Sequence, residues 1–193
     1  MPLRLTEGRR DMKQILMASL LALTAASASA QVEKVYAGGS LGWAKIPTTC
    51  AAGETCKDNS VGYKVYVGYD DTAKIAGELG YINFGKSKVD AGTDHAELKA
   101  HAVTLALAFK QQLDTGLKGV LRLGAANVSA KETSNFGFAD KGSGWNIYGG
   151  VGAEYDIMPG LKAAASLDVT KGGTDGGDSG TLYLLSAGVQ YHF

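Results

Sequence analysis

Tyr63-Lys-Val-Tyr-Val-Gly-Tyr69 sets Tyr63, Val65, Val67 and Tyr69 on one face and Lys64, Tyr66 and Gly68 on the other. A period of two marks a strand, because successive side chains leave opposite faces. The same alternation recurs over Val35 to Trp43, Ile75 to Tyr81, Val103 to Phe109, Leu117 to Ala125, Trp145 to Tyr155, Leu161 to Val169 and Thr181 to Phe193. One face of each segment is aliphatic and aromatic. The other is Gly, Ser, Ala and Thr, and it holds every mid-strand charge: Lys64, Glu78, Arg122, Glu154 and Asp168. Each segment is about the ten residues that cross a bilayer as a tilted strand. A soluble eight-stranded carrier would turn its charges to water and its leucines inward. A Lys or Arg facing hydrocarbon at mid-depth costs about 2–4 kcal/mol. The charges are therefore expected to face the inside of a closed barrel and the apolar face to meet lipid. Closure is required, since an open edge in hydrocarbon leaves backbone groups unpaired.

The connections carry separate information. They alternate long and short: 46–59, 86–95, 131–143 and 172–180 are long, and 71–73, 111–115 and 158–160 are short. Met158-Pro159-Gly160 has the residue order of a tight turn. An even number of strands sorts all short turns to one side and all long loops to the other, so the expected fold is an all-β, eight-stranded antiparallel up-and-down transmembrane β-barrel. The composition agrees. The chain has 27 Gly and 3 Pro, which suits close-packed strands better than helices. Its 19 basic and 19 acidic residues cancel, which excludes a nucleic-acid footprint. Mean hydropathy is close to neutral, as expected where lipid-facing and lumen-facing residues average out.

The aromatics sort by depth. Tyr69, Phe109, Tyr155, Tyr191 and Phe193 fall near the short-turn ends, and Trp43, Tyr63, Tyr81, Trp145 and Tyr183 near the long-loop ends. Two belts at the headgroup levels are the membrane-barrel pattern. This layout, with Tyr66-Val-Gly-Tyr69, Gly77-Glu-Leu-Gly-Tyr81 and the closing Tyr191-His-Phe193, resembles the small OmpA-like and OmpX-like outer-membrane barrels over all of 31–193, without an appended peptidoglycan-binding domain. The resemblance implies residence in the outer membrane of a Gram-negative bacterium, among its lipid and lipopolysaccharide, as a monomer. It also implies that Tyr191 and Phe193 form the signal read by the outer-membrane assembly machinery. Short turns would face the periplasm and long loops the exterior.

The amino terminus reads as a targeting segment. Residues 12–30 have a basic start, an apolar centre and the small-residue end Ala28-Ser29-Ala30, so a signal-peptide helix is expected with cleavage between Ala30 and Gln31. Its apolar run is short for a spanning helix. Residues 1–11 precede this unit and read as dispensable, with Met12 the expected start.

An eight-stranded barrel is just wide enough to be filled by its own side chains. The expected lumen is plugged, with Glu78 and Glu154 pairing Lys64 and Arg122 and with Asp168 near the upper end, because an unpaired charge taken from water costs several kcal/mol. A static polar core is favoured over a gate in which partner exchange opens a narrow ion path. Cys50 and Cys56, in the first long loop of an exported chain, read as a loop disulfide. Asp94, His95, Glu97 and His101 cluster near the second loop but lack a fixed ligand geometry, so a solvated strand entrance is favoured over a metal site. His192 reads as inward, hydrogen-bonded filler. Ser166 and Asp168 share a face, yet no His shares their depth, which argues against a lipid-modifying enzyme. Phe136 and Phe138, in the loop 131–141, are candidate contact anchors for a host or cell-surface ligand, with insertion into the headgroups as the alternative. The 171–180 loop, with Asp175 and Asp178, lacks EF-type calcium spacing. No cofactor, metal or catalytic residue is expected.

Overall fold

A computed structural model describes residues 34–46, 55–91, 94–134, 139–172 and 180–193. The strands are β1 Val35–Lys45, β2 Thr55–Lys57, β3 Asn59–Asp70, β4 Ile75–Ala91, β5 Asp94–Asp114, β6 Leu117–Ser134, β7 Ala139–Met158, β8 Leu161–Gly172 and β9 Gly180–His192. All pairings are antiparallel. The order β1-β3-β4-β5-β6-β7-β8-β9 closes on itself through β9 and β1, so eight strands make a barrel, and β2 adds to the outer part of β4. Cα partners lead once round the ring from His192 through Tyr36, Gly68, Glu78, Ala106, Gly124, Tyr148 and Thr170 to Leu182. The barrel therefore closes with a stagger of ten residues, and the stagger is what tilts the strands.

The two faces fall as the alternation requires. Leu41, Trp43, Leu105, Ile147 and Val189 project from the outside of the wall. Lys64, Glu78, Arg122, Glu154 and Asp168 are 0–4% exposed. Both aromatic belts lie on the outer surface, Tyr69, Phe109, Tyr155, Tyr191 and Phe193 at the short-turn rim and Trp43, Tyr63, Tyr81, Trp145 and Tyr183 at the other. The short turns are tight. Gly116 and Gly160 take φ of 75° and 78°, a conformation that costs a residue with a Cβ. Thr72 closes the third turn by accepting the Ile75 amide on its hydroxyl at 3.1 Å.

The long connections depart from the sequence reading. Residues 86–91 and 94–95 continue β4 and β5, and 131–134 and 139–143 continue β6 and β7. The loop expected at 46–59 contains β2 and the start of β3. β5 has 21 residues, where about ten cross a bilayer. The strands β4 to β7 thus continue past the membrane as a ridge. Its register shifts between Asn83 and Lys86, where Gly85 takes φ of 74° and its amide donates to Asn83 Oδ1 at 2.7 Å. This bulge admits one extra residue and restores the alternation beyond it.

Candidate functional site

The inside of the barrel is filled in two zones. Toward the long-loop end, Ile46, Ile82, Phe84, Val128, Leu182 and Leu184 form a buried apolar plug. Along β4, Ile82 and Phe84 lie between Glu78 and the long-loop end, and along β6 Val128 lies on the same side of Arg122. Alternation puts Ile82, Leu182 and Leu184 on the inward face, but the core expected from the sequence is polar, so the plug is a finding of the structure.

Below the plug lies the charge layer. Arg122 donates from Nε to Glu78 Oε2 at 2.6 Å and from Nη2 to Glu78 Oε1 at 3.2 Å. The same Nη2 stands 3.8 Å from Glu154 Oε1. Tyr36 donates its hydroxyl to Glu78 Oε1 at 2.8 Å. Lys64 does not pair with a glutamate. Its Nζ meets Asp168 Oδ1 at 2.8 Å, and Tyr148 and Ser166 also donate to that carboxylate. The expected partners were shuffled because strand tilt changes which residues stand level. Asp168 is thus the partner of Lys64, not a separate charge near the upper end. Glu154 has Lys162 at 3.8 Å and receives Gln190 Nε2 at 3.5 Å.

Two glycines make this packing feasible. A Cβ on Gly68 would lie 2.2 Å from the Tyr36 ring, and one on Gly38 would lie 2.3 Å from the Tyr66 ring. Tyr66 in turn donates to Gln190 Oε1 at 2.9 Å. Beside Lys64, Arg122, Glu154 and Ser166 the remaining cavity is ≈ 10 Å³, room for about one water.

At the short-turn mouth, Asp70 joins two groups. It meets Lys110 Nζ at 2.7 Å and His192 Nε2 at 3.2 Å. Lys110 Nζ also sits 4.1 Å from the centre of the Tyr36 ring. His192 is the inward filler expected, with its Nδ1 buried and unbonded. Alternation puts Asp70, Lys110 and Tyr36 on the inward face, but the sequence alone assigns them no part in the charge network. They lie at or beside segment ends, where alternation no longer tells mouth from turn.

The other candidates are not drawn into one site. Ser166 donates to Asp168 at 2.8 Å and is within 3.4 Å of Ser186. Glu97 is held by Lys99 at 2.8 Å and Lys86 at 3.5 Å, and the Lys99 hydrogen bond keeps its carboxyl below the usual carboxylate range. His101 packs on Tyr81 at the outer surface, with ring centres 5.9 Å apart. Among the described residues no three His, Cys, Asp or Glu side chains gather as a metal site. The side chains of Asp94, His95 and Cys56 lie outside the described residues, as do Cys50, Phe136, Phe138, Asp175, Asp178 and the targeting segment with Ala30 and Gln31. At the carboxyl end Tyr191 and Phe193 meet edge to face at 5.3 Å, and the Phe193 amide donates to the Val35 carbonyl at 3.0 Å.

No match was found among curated protein sequences. Neisserial surface protein A aligns with a TM-score of 0.62 at 15% identity, over 82% of this chain and 97% of that one. The N-terminal β-barrel domain of Pseudomonas aeruginosa OprF gives 0.55 at 17% identity, over 83% and 98%. Ail, the attachment invasion locus protein of Yersinia pestis, gives 0.51 at 16% identity, over 82% and 99%. These likenesses concern the fold. The family model described as an OmpA-like transmembrane domain matches residues 30–193, the whole of the wall and its connections, and the chain accordingly belongs to this family as a β-barrel of the Gram-negative outer membrane.

Proposed function

We propose that the barrel is a closed, monomeric membrane anchor that presents a recognition surface at its long-loop end, with an adhesin-like role and no catalysis. The observation that carries this is the ridge. On β7 the pairing with β8 ends at Tyr148 and Thr170, while the strand itself begins at Ala139. Among the described residues, Ala139 to Asn146 pair with no strand on the side away from β6. The opposite side of the ridge carries β2, paired with β4 from Thr55 to Lys57. An uncovered run of backbone donors and acceptors is a template for an extended polypeptide. The fold shared with an attachment invasion locus protein supports the same direction. In this reading the long-loop end faces the exterior, where lipopolysaccharide surrounds it, and Tyr191 and Phe193 serve the assembly machinery.

The test shortens the ridge without touching the wall. Ser129 and Ser143 are Cα partners, so residues 130–142 can be replaced by an Asn-Gly hairpin turn. The variant should still migrate as a folded barrel on an unboiled detergent gel. Cells expressing it should lose adherence to cultured cells and immobilised matrix proteins, down to the level of an empty vector. Full adherence by a folded, surface-displayed variant would refute the recognition role.

A pore is the second reading, favoured by one observation: Arg122 already has a second carboxylate, Glu154, within 3.8 Å. Partner exchange would shift charge within the layer but would leave the apolar plug above it intact. Planar-bilayer recordings of the purified barrel are expected to be silent, and so are recordings of Glu78→Ala. Stepwise single-channel currents from either protein would reverse the order of the two readings.

A further inference from the structure

Above the outer aromatic belt, lysines occupy one register row of the ridge. Lys86 is the Cα partner of Lys99, Lys99 of Lys131, and Lys131 of Lys141. Neighbours directly opposite in an antiparallel sheet stand close enough to interact, and like charges there are destabilising. The row Lys86, Lys99 and Lys131 on three adjacent strands therefore opposes the pairing that holds the ridge together. Lys86 and Lys99 are more than half exposed on the outside of the wall, and Lys131 is exposed as well. Glu97 offsets part of this charge by bonding Lys86 and Lys99. Among the described residues no acidic side chain pairs with Lys131.

The height of the row identifies what can neutralise it. The outward row Val103, Asn127 and Trp145 marks the top of the apolar wall, and the lysine row lies four residues further along each of these strands. At about 3.3 Å per residue and a tilt near 40°, that is roughly 10 Å above the hydrocarbon rim. A headgroup layer of several ångströms covers that rim, and a lysine stem can lie along the wall and reach down into it. Among the described residues the opposite rim has no such row. Its outward residues are Tyr69, Phe109, Tyr155 and Tyr191, with Lys34 placed over the Tyr69 ring at 5.8 Å.

We infer that Lys86, Lys99 and Lys131 form a cationic row that binds the phosphate groups of lipid headgroups in the leaflet around the long-loop end. The inference rests on the reading that this end faces the exterior, and it goes beyond that reading by naming a ligand chemistry and a surface. Each ammonium supplies donors to phosphate oxygens, and the bound anions remove the repulsion along the row. Lipid would then clasp the base of the ridge and hold its exposed edge at a fixed height.

The test uses the full barrel folded in neutral detergent, with diphosphorylated lipid A and phosphate-free lipid A as probes in native mass spectrometry. The wild-type protein should prefer the phosphorylated lipid. Lys99→Gln combined with Lys131→Gln should weaken that binding about twenty-fold at low salt, since a lysine near an anionic surface contributes about fivefold. Lys34→Gln combined with Lys74→Gln removes the same charge from the short-turn end and should change binding less than twofold. Equal losses in the two double variants, or none in the first, would overturn the inference. So would displacement of lipid A by millimolar inorganic phosphate, which would mark a simple anion site. Row-dependent capture of dextran sulfate with unchanged lipid A binding would also overturn it, in favour of a soluble polyanion. Both double variants keep the uncovered edge of β7. Loss of adherence with lipid binding intact would thus speak to the recognition role alone.

Discussion

Arg122→Ala is expected to destabilise the folded barrel by about 3–5 kcal/mol, the usual cost of removing one partner from a buried ion pair. The guanidinium stands between two carboxylates that are 4% and 2% exposed. Without it, Glu78 keeps the Tyr36 hydroxyl, and Glu154 keeps Gln190 at 3.5 Å and Lys162 at 3.8 Å. Glu154 thus retains the Lys162 ammonium, but Glu78 is left with a neutral donor beside a cavity that holds about one water. The layer owes its stability to completeness more than to the strength of any one pair. The double variant Arg122→Met with Glu78→Leu should accordingly recover most of the loss, because well-packed apolar groups often replace a buried pair at little or no cost. Urea unfolding of vesicle-folded protein, followed by tryptophan fluorescence, measures both. A loss below about 1 kcal/mol for Arg122→Ala would show that water reaches the carboxylates freely, contrary to a sealed lumen.

Leu105→Arg tests the other side of the wall. Leu105 is 62% exposed, with Leu79 and Ala125 as its cross-strand partners. If this surface meets hydrocarbon, the substitution costs about 2–4 kcal/mol in a bilayer. The depth dependence is the discriminating part. His101→Arg lies on the same face of the same strand, four residues closer to the ridge, and should cost only about 0–1 kcal/mol near the interface. The pair is measured by the same unfolding assay. Equal costs at the two depths would mean that the outer wall is not graded by a membrane.

These two results probe what was legible in the sequence. The faces were legible because hydrocarbon permits few exceptions. Leu79, Leu105, Leu121 and Leu185 had to be outward once Glu78 and Arg122 were inward. The three short turns were legible for a related reason, since strands of fixed length must end near a fixed depth. The ridge was not. Past the headgroups both faces of β5 and β6 can be polar, so Lys131-Glu-Thr-Ser134 has no apolar alternation to betray a strand. The bulge at Gly85 further breaks the count on β4. Among the inward groups, sequence gave each residue a face and a distance along its own strand. It did not give the stagger of the ring. Lys64 therefore found Asp168 across the lumen, in place of the glutamate assigned to it. The apolar plug was missed for a different reason. Ile82 and Leu184 sit correctly on the inward face, but an aliphatic side chain there gives no hint that five others converge on it.

The closing pair of strands sets a constraint on how such a wall is made. Every other junction of the ring joins strands that are neighbours along the chain or are separated only by the loop containing β2, whereas β1 and β9 bring Tyr36 beside His192. That seam can be sewn only after the rest of the chain has been laid down, so the growing sheet must spend its assembly with two raw margins. Slipping it by one residue would turn every side chain of β9 to the wrong side, leucines into the charged interior and Gln190 into hydrocarbon. The last strand thus acts as a key with a single accepted position, and the finished ring carries no memory of having been open.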